Sequence, residues 1–340
     1  MLNLNAKLIQ KHYNKSSVVG RLKQLDFIYR EIANRTADRL DYIKSPPPSV
    51  ILDIGSGCGI DAELLSNRFP ESLLIQLDFA VNILKDNQRK NRPKASWLKK
   101  IFGVPIFGLP GHHNKCNQYL CANALNLPLQ SQSVDIVWSN LCLPYIDVNS
   151  LVDYFKEIYR VLRVGGYFLV TGLGVDSLQQ LRDIGLQTFN FPDMHIIGDH
   201  LVKLGFTHSV TDVEYINLEY DSLEQLLDDI RIVGCGEAIL SQSFMQKEIK
   251  SNASMTAPAT SNVIASRASL PAAYLPTAFL PKTYLSKKNY QQLKSKFNEL
   301  MNSTNKFILT LEVYYAHAWK ERVHSTLPED KKIVQFYPKK

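Results

Sequence analysis

The 340-residue chain is poor in several of the features that would assign a protein quickly. Its five cysteines stand at scattered spacings and make no disulfide framework, so a reducing cytoplasm is the expected compartment. No stretch approaches the roughly 18 uninterrupted apolar residues of a membrane span. The opening "MLNLNAKLIQKHYNK" lacks the apolar core and small-residue cleavage site of a secretory signal. Acidic residues are outnumbered, 32 Asp and Glu against 39 Lys and Arg, for a net charge of +7. That balance favours an acidic partner, whether nucleic acid, an anionic membrane or an acidic protein. The excess is uneven: residues 85 to 100 hold Lys85, Arg89, Lys90, Arg92, Lys94, Lys99 and Lys100 against Asp86 alone. The rest, 45% hydrophobic and 21% charged, is ordinary for a globular chain with a sizeable core.

Periodicity then sets out an alternating architecture. Residues 27–43 carry apolar side chains at helical spacing, and "SPPPS" stops that helix because proline cannot continue it. "SVILDIG" reads as a buried strand, "DAELLSNRF" as a helix, "SLLIQLD" as a second strand and "AVNILKDNQRK" as a second helix. "QYLCANALNLP" and "SVDIVWSNL" supply strands three and four. An amphipathic helix closed by two glycines, "VDYFKEIYRVLRVGG", precedes strand five, "YFLVTGL". Strands alternating with helices imply a mostly parallel, doubly wound α/β sheet. Further on, "DMHIIGDHLVKLGF" and "SLEQLLDDIRIVG" are helical, and "HSVTDVEYINLEY" and "FILTLEVYYAHAWK" are strands. Residues 241–285 are rich in Ser, Ala, Thr, Asn and Pro, with Leu-Pro recurring every five residues, and read as an insert or lid. The expected layout is an N-terminal helical segment to residue 48, a core at 49–172, a substrate region at 173–320 and a basic tail.

"VILDIGSGCGI" decides what the core binds. Gly55, Gly57 and Gly59 do not complete the dinucleotide pattern, which needs glycine where Ile60 stands. No Gly-Lys-Ser/Thr ending makes it a phosphate loop. Asp53 at the start of the loop would repel a pyrophosphate but suits a cofactor with cationic groups. S-adenosylmethionine, with an ammonium, a sulfonium and no phosphate, meets that requirement, and the glycines let backbone approach it closely. Asp78 ends the second strand, where a carboxylate can accept both ribose hydroxyls. Asn123 and Ala124 at the end of strand three are placed beside the adenine. Ser139 and Asn140 at the end of strand four stand at the edge where ligands bind.

These residues resemble the class I S-adenosylmethionine-dependent methyltransferases over about 48–172, through the glycine loop, Asp78 and "LNLP...SVDIVWSNL...LRVGGYFLVTGLG". "DMHIIGDHLVKLGF", "VEYINLEYDSLEQLLDDIRIVG" and "LEVYYAHAWK" are similar, more narrowly, to the malonyl-acyl-carrier-protein O-methyltransferases of biotin synthesis and their relatives. The resemblance implies a Rossmann-like methyltransferase sheet with N-terminal helices and C-terminal inserts, and malonyl-acyl-carrier protein as acceptor. Those relatives include a mitochondrial complex I assembly factor, so the alternatives are a cofactor-binding assembly factor or protein modifier, or a methyltransferase acting on another small-molecule or nucleic-acid acceptor. There are two departures from the family. Asn123 stands where Asp is usual, and Leu22 and Lys23 fall where a Tyr-Asp pair belongs, with Tyr13 nearby. In such enzymes this N-terminal segment closes over the cofactor.

A malonyl carboxylate is already an anion at neutral pH, so its methylation needs no general base. It needs a dry pocket, close approach and charge neutralisation. Arg182 in "LQQLRD" and His195 in "FPDMHIIGD" are the candidates for the last role. Against a nucleic-acid substrate, "SNLCLPY" separates Asn140 from Pro144 and Tyr145, too far for the base-stacking motif of amino-methylating enzymes. His112, His113, Cys116 and Cys121 do not have a usual zinc spacing, and no metal is expected.

Overall fold

The protein is described here by a computed structural model covering residues 6–15, 20–43, 46–90, 117–186, 188–233 and 287–321. Short apolar runs bounded by turns become strands of one seven-stranded sheet: β1 (Val50–Ile54), β2 (Leu73–Asp78), β3 (Gln118–Cys121), β4 (Val134–Ser139), β5 (Leu162–Leu173), β6 (Thr207–Tyr220) and β7 (Phe307–Lys320). Their order is β3-β2-β1-β4-β5-β7-β6. The first five are parallel, and β7 runs antiparallel to both of its neighbours. The chain winds outward one way from β1 and the other way from β4. The crevice between them is therefore a topological switch point, where ligands bind at the carboxyl ends of strands.

The described helices are α1 (Ala6–Tyr13), α2 (Asp26–Ala37), α3 (Ile60–Arg68), α4 (Val81–Lys90), α5 (Leu151–Val161), α6 (Gln179–Asp183), α7 (Met194–Lys203), α8 (Leu223–Ile232) and α9 (Lys287–Glu299). On one face of the sheet α5 buries Tyr154, Phe155, Ile158 and Val161 against Val137, Phe168 and Val170. On the other, Trp138, Tyr167 and Leu169 pack with Ala33 of α2 and with Ala62 and Leu65 of α3. Both faces are covered, which explains why β1 and β4 read as continuous apolar runs rather than alternating ones. By contrast β6 alternates partly exposed and exposed residues, as an edge strand with one open face does. No helix among the described residues is long and apolar enough to cross a membrane.

Three details differ from the periodicity. The helix expected over 27–43, α2, ends at Ala37 and continues to Tyr42 as a tighter 3₁₀ turn, with the Thr36 hydroxyl turned back onto the Ile32 carbonyl at 2.7 Å. The glycines after α5 lie inside β5, which begins at Leu162; Gly165 takes a left-handed φ of +84° there. Helices α1, α6 and α9 carried no clear pattern of their own. The insert at 241–285 lies outside the described residues.

Candidate cofactor and acceptor site

The glycine loop joins β1 to α3 at the switch point. Gly55 and Ser56 donate their N–H groups to the Leu77 carbonyl, at 2.8 and 3.0 Å, which ties the loop to the end of β2. All three loop glycines have left-handed φ values. Gly55 has no room for a side chain either, because a Cβ there would lie 2.8 Å from both Cβ and Sγ of Cys142. At the end of β2, Asp78 accepts N–H groups from Gly57 through Oδ2 (3.1 Å) and from Ala80 through Oδ1 (2.8 Å). A cavity opens above these groups, walled by the loop, Asp78, Phe79, Asp61, Asn140 and the N-terminal residues Tyr13, Leu22, Asp26 and Tyr29.

Its electrostatics are those of a cation site. Burial pushes the carboxyls of Asp61 and Asp78 up to about 6. Hydrogen bonds oppose the shift, from Trp138 and Asn140 at Asp61 and from backbone N–H groups at Asp78. Asp53, wholly buried, is pushed well up by burial and then by Asp61 and Asp78. Both Asp53 oxygens and Asp26 Oδ1 are buried without a hydrogen-bond partner among the described residues. No lysine, arginine or histidine is among the described residues lining this cavity. Unpartnered carboxylate oxygens beside close-approach glycines fit a ligand bearing an ammonium, a sulfonium and ribose hydroxyls, and do not fit a phosphate. Burial raises the Cys58 thiol to about 11 and that of Cys142 to about 12, so neither is a thiolate nucleophile at neutral pH.

A second cavity adjoins the first and shares Tyr29, Leu141 and Tyr145 with it. Its walls are almost wholly apolar, with Phe189, Phe191 and Leu311 among them, and Asp229 is the one carboxyl among the described residues that line it. Leu141 sits on the partition with φ +51°, an unfavourable conformation for a branched side chain, held by a 2.8 Å bond from its N–H to Thr171 Oγ1. Tyr13 and Tyr145 meet through their hydroxyls at 2.7 Å, and both reach the Val233 carbonyl, which seats α1 over the cofactor cavity.

Among the residues singled out in the sequence, Gly55, Gly57, Asp78 and Asn140 line the first cavity, whereas Gly59 and the wholly buried Asp53 do not. Asn140 is committed to Asp61 Oδ1 and the Tyr29 carbonyl (3.2 Å each) and accepts from Thr171. Ser139 is not brought to the cavity: its hydroxyl pairs with Tyr154 of α5 at 2.6 Å in the core. Asn123 is exposed and caps its own turn by accepting from Leu125 N–H at 3.0 Å, with Ala124 buried beside it, and neither lines the cavity. Leu22, in the position of the family's tyrosine, is buried in the cavity wall beside Tyr13 and Ile83.

Arg182 and His195 line neither cavity. The Arg182 guanidinium is spent on its own loop, donating to the carbonyls of Ser177 (3.0 Å) and Val175 (3.3 Å), Thr188 Oγ1 (2.9 Å) and Gln179 Oε1. His195 is exposed at the start of α7, where its backbone N–H, not its ring, is capped by Asp193 at 2.8 Å. Arg182→Ala is accordingly expected to cost about 1–3 kcal/mol of stability, in line with charge-assisted hydrogen bonds. Cofactor affinity should be unchanged. Thermal unfolding alongside calorimetry checks this; loss of acceptor turnover at unchanged stability would return Arg182 to the site. Lys85, Arg89 and Lys90 are exposed on α4, whereas Arg92, Lys94, Lys99, Lys100, His112, His113 and Cys116 lie outside the described residues.

Asp26, Asp61, Tyr29, Leu141 and Tyr145 were not singled out in the sequence. Asp61 left a trace, as the acidic residue in the first turn after the glycine loop. The others reach the site from segments far apart in the chain, and no local pattern marks them.

A sheet of this order, with a cation-suited glycine loop at its switch point, defines a methyltransferase, and the family described as Methyltransferase domain matches residues 52–170. The malonyl-[acyl-carrier protein] O-methyltransferase of Methylovorus sp. (strain MP688) is 31% identical over 347 residues, covering 99% of this chain and 98% of that one. The protein of the same name from Laribacter hongkongensis (strain HLHK9) is 30% identical, covering 92% and 89%. That from Gallionella capsiferriformans (strain ES-2) is 36% identical over 61% and 68%. The chain belongs to the malonyl-[acyl-carrier protein] O-methyltransferase family, and S-adenosylmethionine is its cofactor.

Proposed function

We propose that the enzyme methylates the free carboxylate of a malonyl group carried on acyl-carrier protein, giving the methyl ester used in biotin precursor synthesis. The observation that carries this reading is the apolar cavity joined to the cofactor cavity across Tyr29, Leu141 and Tyr145. The names of the relatives support the same acceptor.

In this reading Asp78 holds the ribose hydroxyls, and Asp61, which lines the cavity and ionises at about 6, supplies the negative field in which the cationic end of the cofactor rests. Gly55 and Gly57 bring backbone against the cofactor where no side chain fits. When bound, S-adenosylmethionine supplies an electrophilic methyl group. The partition residues exclude water, so the acceptor carboxylate meets that methyl group poorly hydrated and therefore more nucleophilic. No residue is asked to remove a proton. The exposed cations of α4 suit an acidic carrier protein, whose encounter they would speed more than they would tighten binding. A cytoplasmic setting agrees with all of this.

Incubation with labelled cofactor and malonyl-carrier protein should give a carrier one methylene heavier, with the label in a base-labile ester. Acetyl-carrier protein, which lacks the free carboxylate, should stay unlabelled. Equal labelling of both carriers, or of neither, removes the malonyl assignment.

A further inference from the structure

Beneath the glycine loop lie two amide side chains that touch neither cavity. Gln76 interrupts the apolar run of β2 that precedes Asp78 and is wholly buried; Asn87 on α4 is 1% exposed. Asn87 Nδ2 donates to the Gly57 carbonyl at 2.8 Å and faces Gln76 Oε1 at 3.3 Å. The other end of that glycine is also engaged, since the Gly57 N–H donates to Asp78 Oδ2 at 3.1 Å. A line of hydrogen bonds thus runs from the core, through Gly57, to the carboxylate at the cofactor cavity.

The pair is an expensive way to fill this space. Gln76 Nε2 and Asn87 Oδ1 are both buried with no hydrogen-bond partner among the described residues. Buried polar atoms left unpaired destabilise a fold, and exchanging both members of such a pair for apolar groups of the same shape is close to neutral or stabilising. The packing around them is tight: a Cβ on Gly59 would lie 3.0 Å from Asn87 Nδ2 and 3.1 Å from Gln76 Oε1. Gly57 itself, with φ +48°, has the freedom to turn its peptide unless something holds it.

We propose that Asn87, seated by Gln76, is a positioning residue that fixes the Gly57 peptide, and through it Asp78, before the cofactor arrives, at a cost in fold stability. This rests on the placement of Asp78 in the cofactor site. Without the amide, the Gly57 carbonyl turns to water, the φ and ψ that link its two flanking peptide units loosen, and the N–H of the preceding unit no longer holds Asp78 in place. The cofactor must then reorder the loop as it binds, and affinity falls.

The test is the double variant Asn87→Leu with Gln76→Met, which keeps the approximate shape of each side chain and removes both amides. Its cofactor-free unfolding midpoint should equal or exceed that of the parent. Its dissociation constant for S-adenosylhomocysteine by calorimetry should rise at least about tenfold, with Asn87→Leu alone giving most of the loss. The Michaelis constant for the acceptor should stay at the parent value. Parent affinity in the double variant, when Asp78→Ala is weakened, overturns the inference. So does a double variant that fails to fold or unfolds at markedly lower temperature, because the pair is then structural. An Asp78→Ala protein with parent affinity overturns it together with the site assignment beneath it.

Discussion

Asp78→Ala is expected to weaken S-adenosylmethionine binding by at least about tenfold. The carboxylate stands at the end of β2 with its oxygens oriented by the N–H groups of Gly57 and Ala80. Hydrogen bonds from two ribose hydroxyls to such an anion are worth roughly 1.5–3 kcal/mol each. Water entering the vacated space returns part of that, so tenfold, or about 1.4 kcal/mol, is a floor. Asp78→Asn keeps an acceptor and the volume but loses the charge, and should fall between the two. Calorimetry reads both variants directly, and an unchanged affinity for Asp78→Ala would place the ribose elsewhere.

The affinity should also depend steeply on pH, in the direction opposite to stability. Burial lifts Asp61 and Asp78 from 3.8 to about 6 in the folded protein. For the cofactor-free fold, the stability that these two carboxyls contribute is fully present below about pH 3.8 and is lost as pH rises through about 6. The folded protein at pH 7 therefore carries desolvated anions whose cost a cationic ligand relieves. With Asp61 and Asp78 placed at the cofactor as proposed, binding needs their ionised forms. It should level off above about pH 7 and weaken below 6, by up to about tenfold per unit for each proton that must leave. Binding isotherms from pH 5 to 8 measure this, and Asp78→Ala should flatten the slope by one proton. A profile without slope across that range would mean that neither carboxyl meets the cofactor.

Much of this site was legible because it is local. The loop from Asp53 to Gly59 and the terminal Asp78 lie at strand ends, where an α/β sheet exposes its chemistry, and their residue types exclude a phosphate before any contact is known. The apolar cavity was not legible, because its wall joins Ile28 and Tyr29 of α2 to Leu141, Phe189 and Leu311, segments that meet only in the tertiary fold. Ser139 and Arg182 show the opposite error. Each stands where a ligand contact is plausible, yet Ser139 is held by Tyr154, and Arg182 by carbonyls of its own loop a few residues away. A polar residue near a site satisfies a neighbour as readily as a ligand, and sequence position does not separate the two. The fold was read more completely than the site, since its strands announce themselves by composition. The reversed direction of β7 does not, because pairing direction leaves little mark on a strand that is buried along nearly its whole length.

The place of β7 has a consequence for how the chain is made. It is the last strand described, yet it is an interior one, lying between β5 and β6. Among the described residues β6 takes its whole sheet pairing from β7, over a register from Thr207–Trp319 to Tyr220–Phe307. During synthesis β6 must therefore wait unpaired while the chain grows from Tyr220 to Lys320, about 5–20 s at ribosomal rates of roughly 5–20 residues per second. For that interval the nascent protein displays one open edge on β5 and both edges of β6, and Val210 and Tyr215 are exposed apolar residues on the latter. Unpaired edges of this kind recruit other strands. Chains stalled or cut short of Phe307 should accumulate as aggregates rather than as smaller folded domains, and the burden on chaperones falls late in translation.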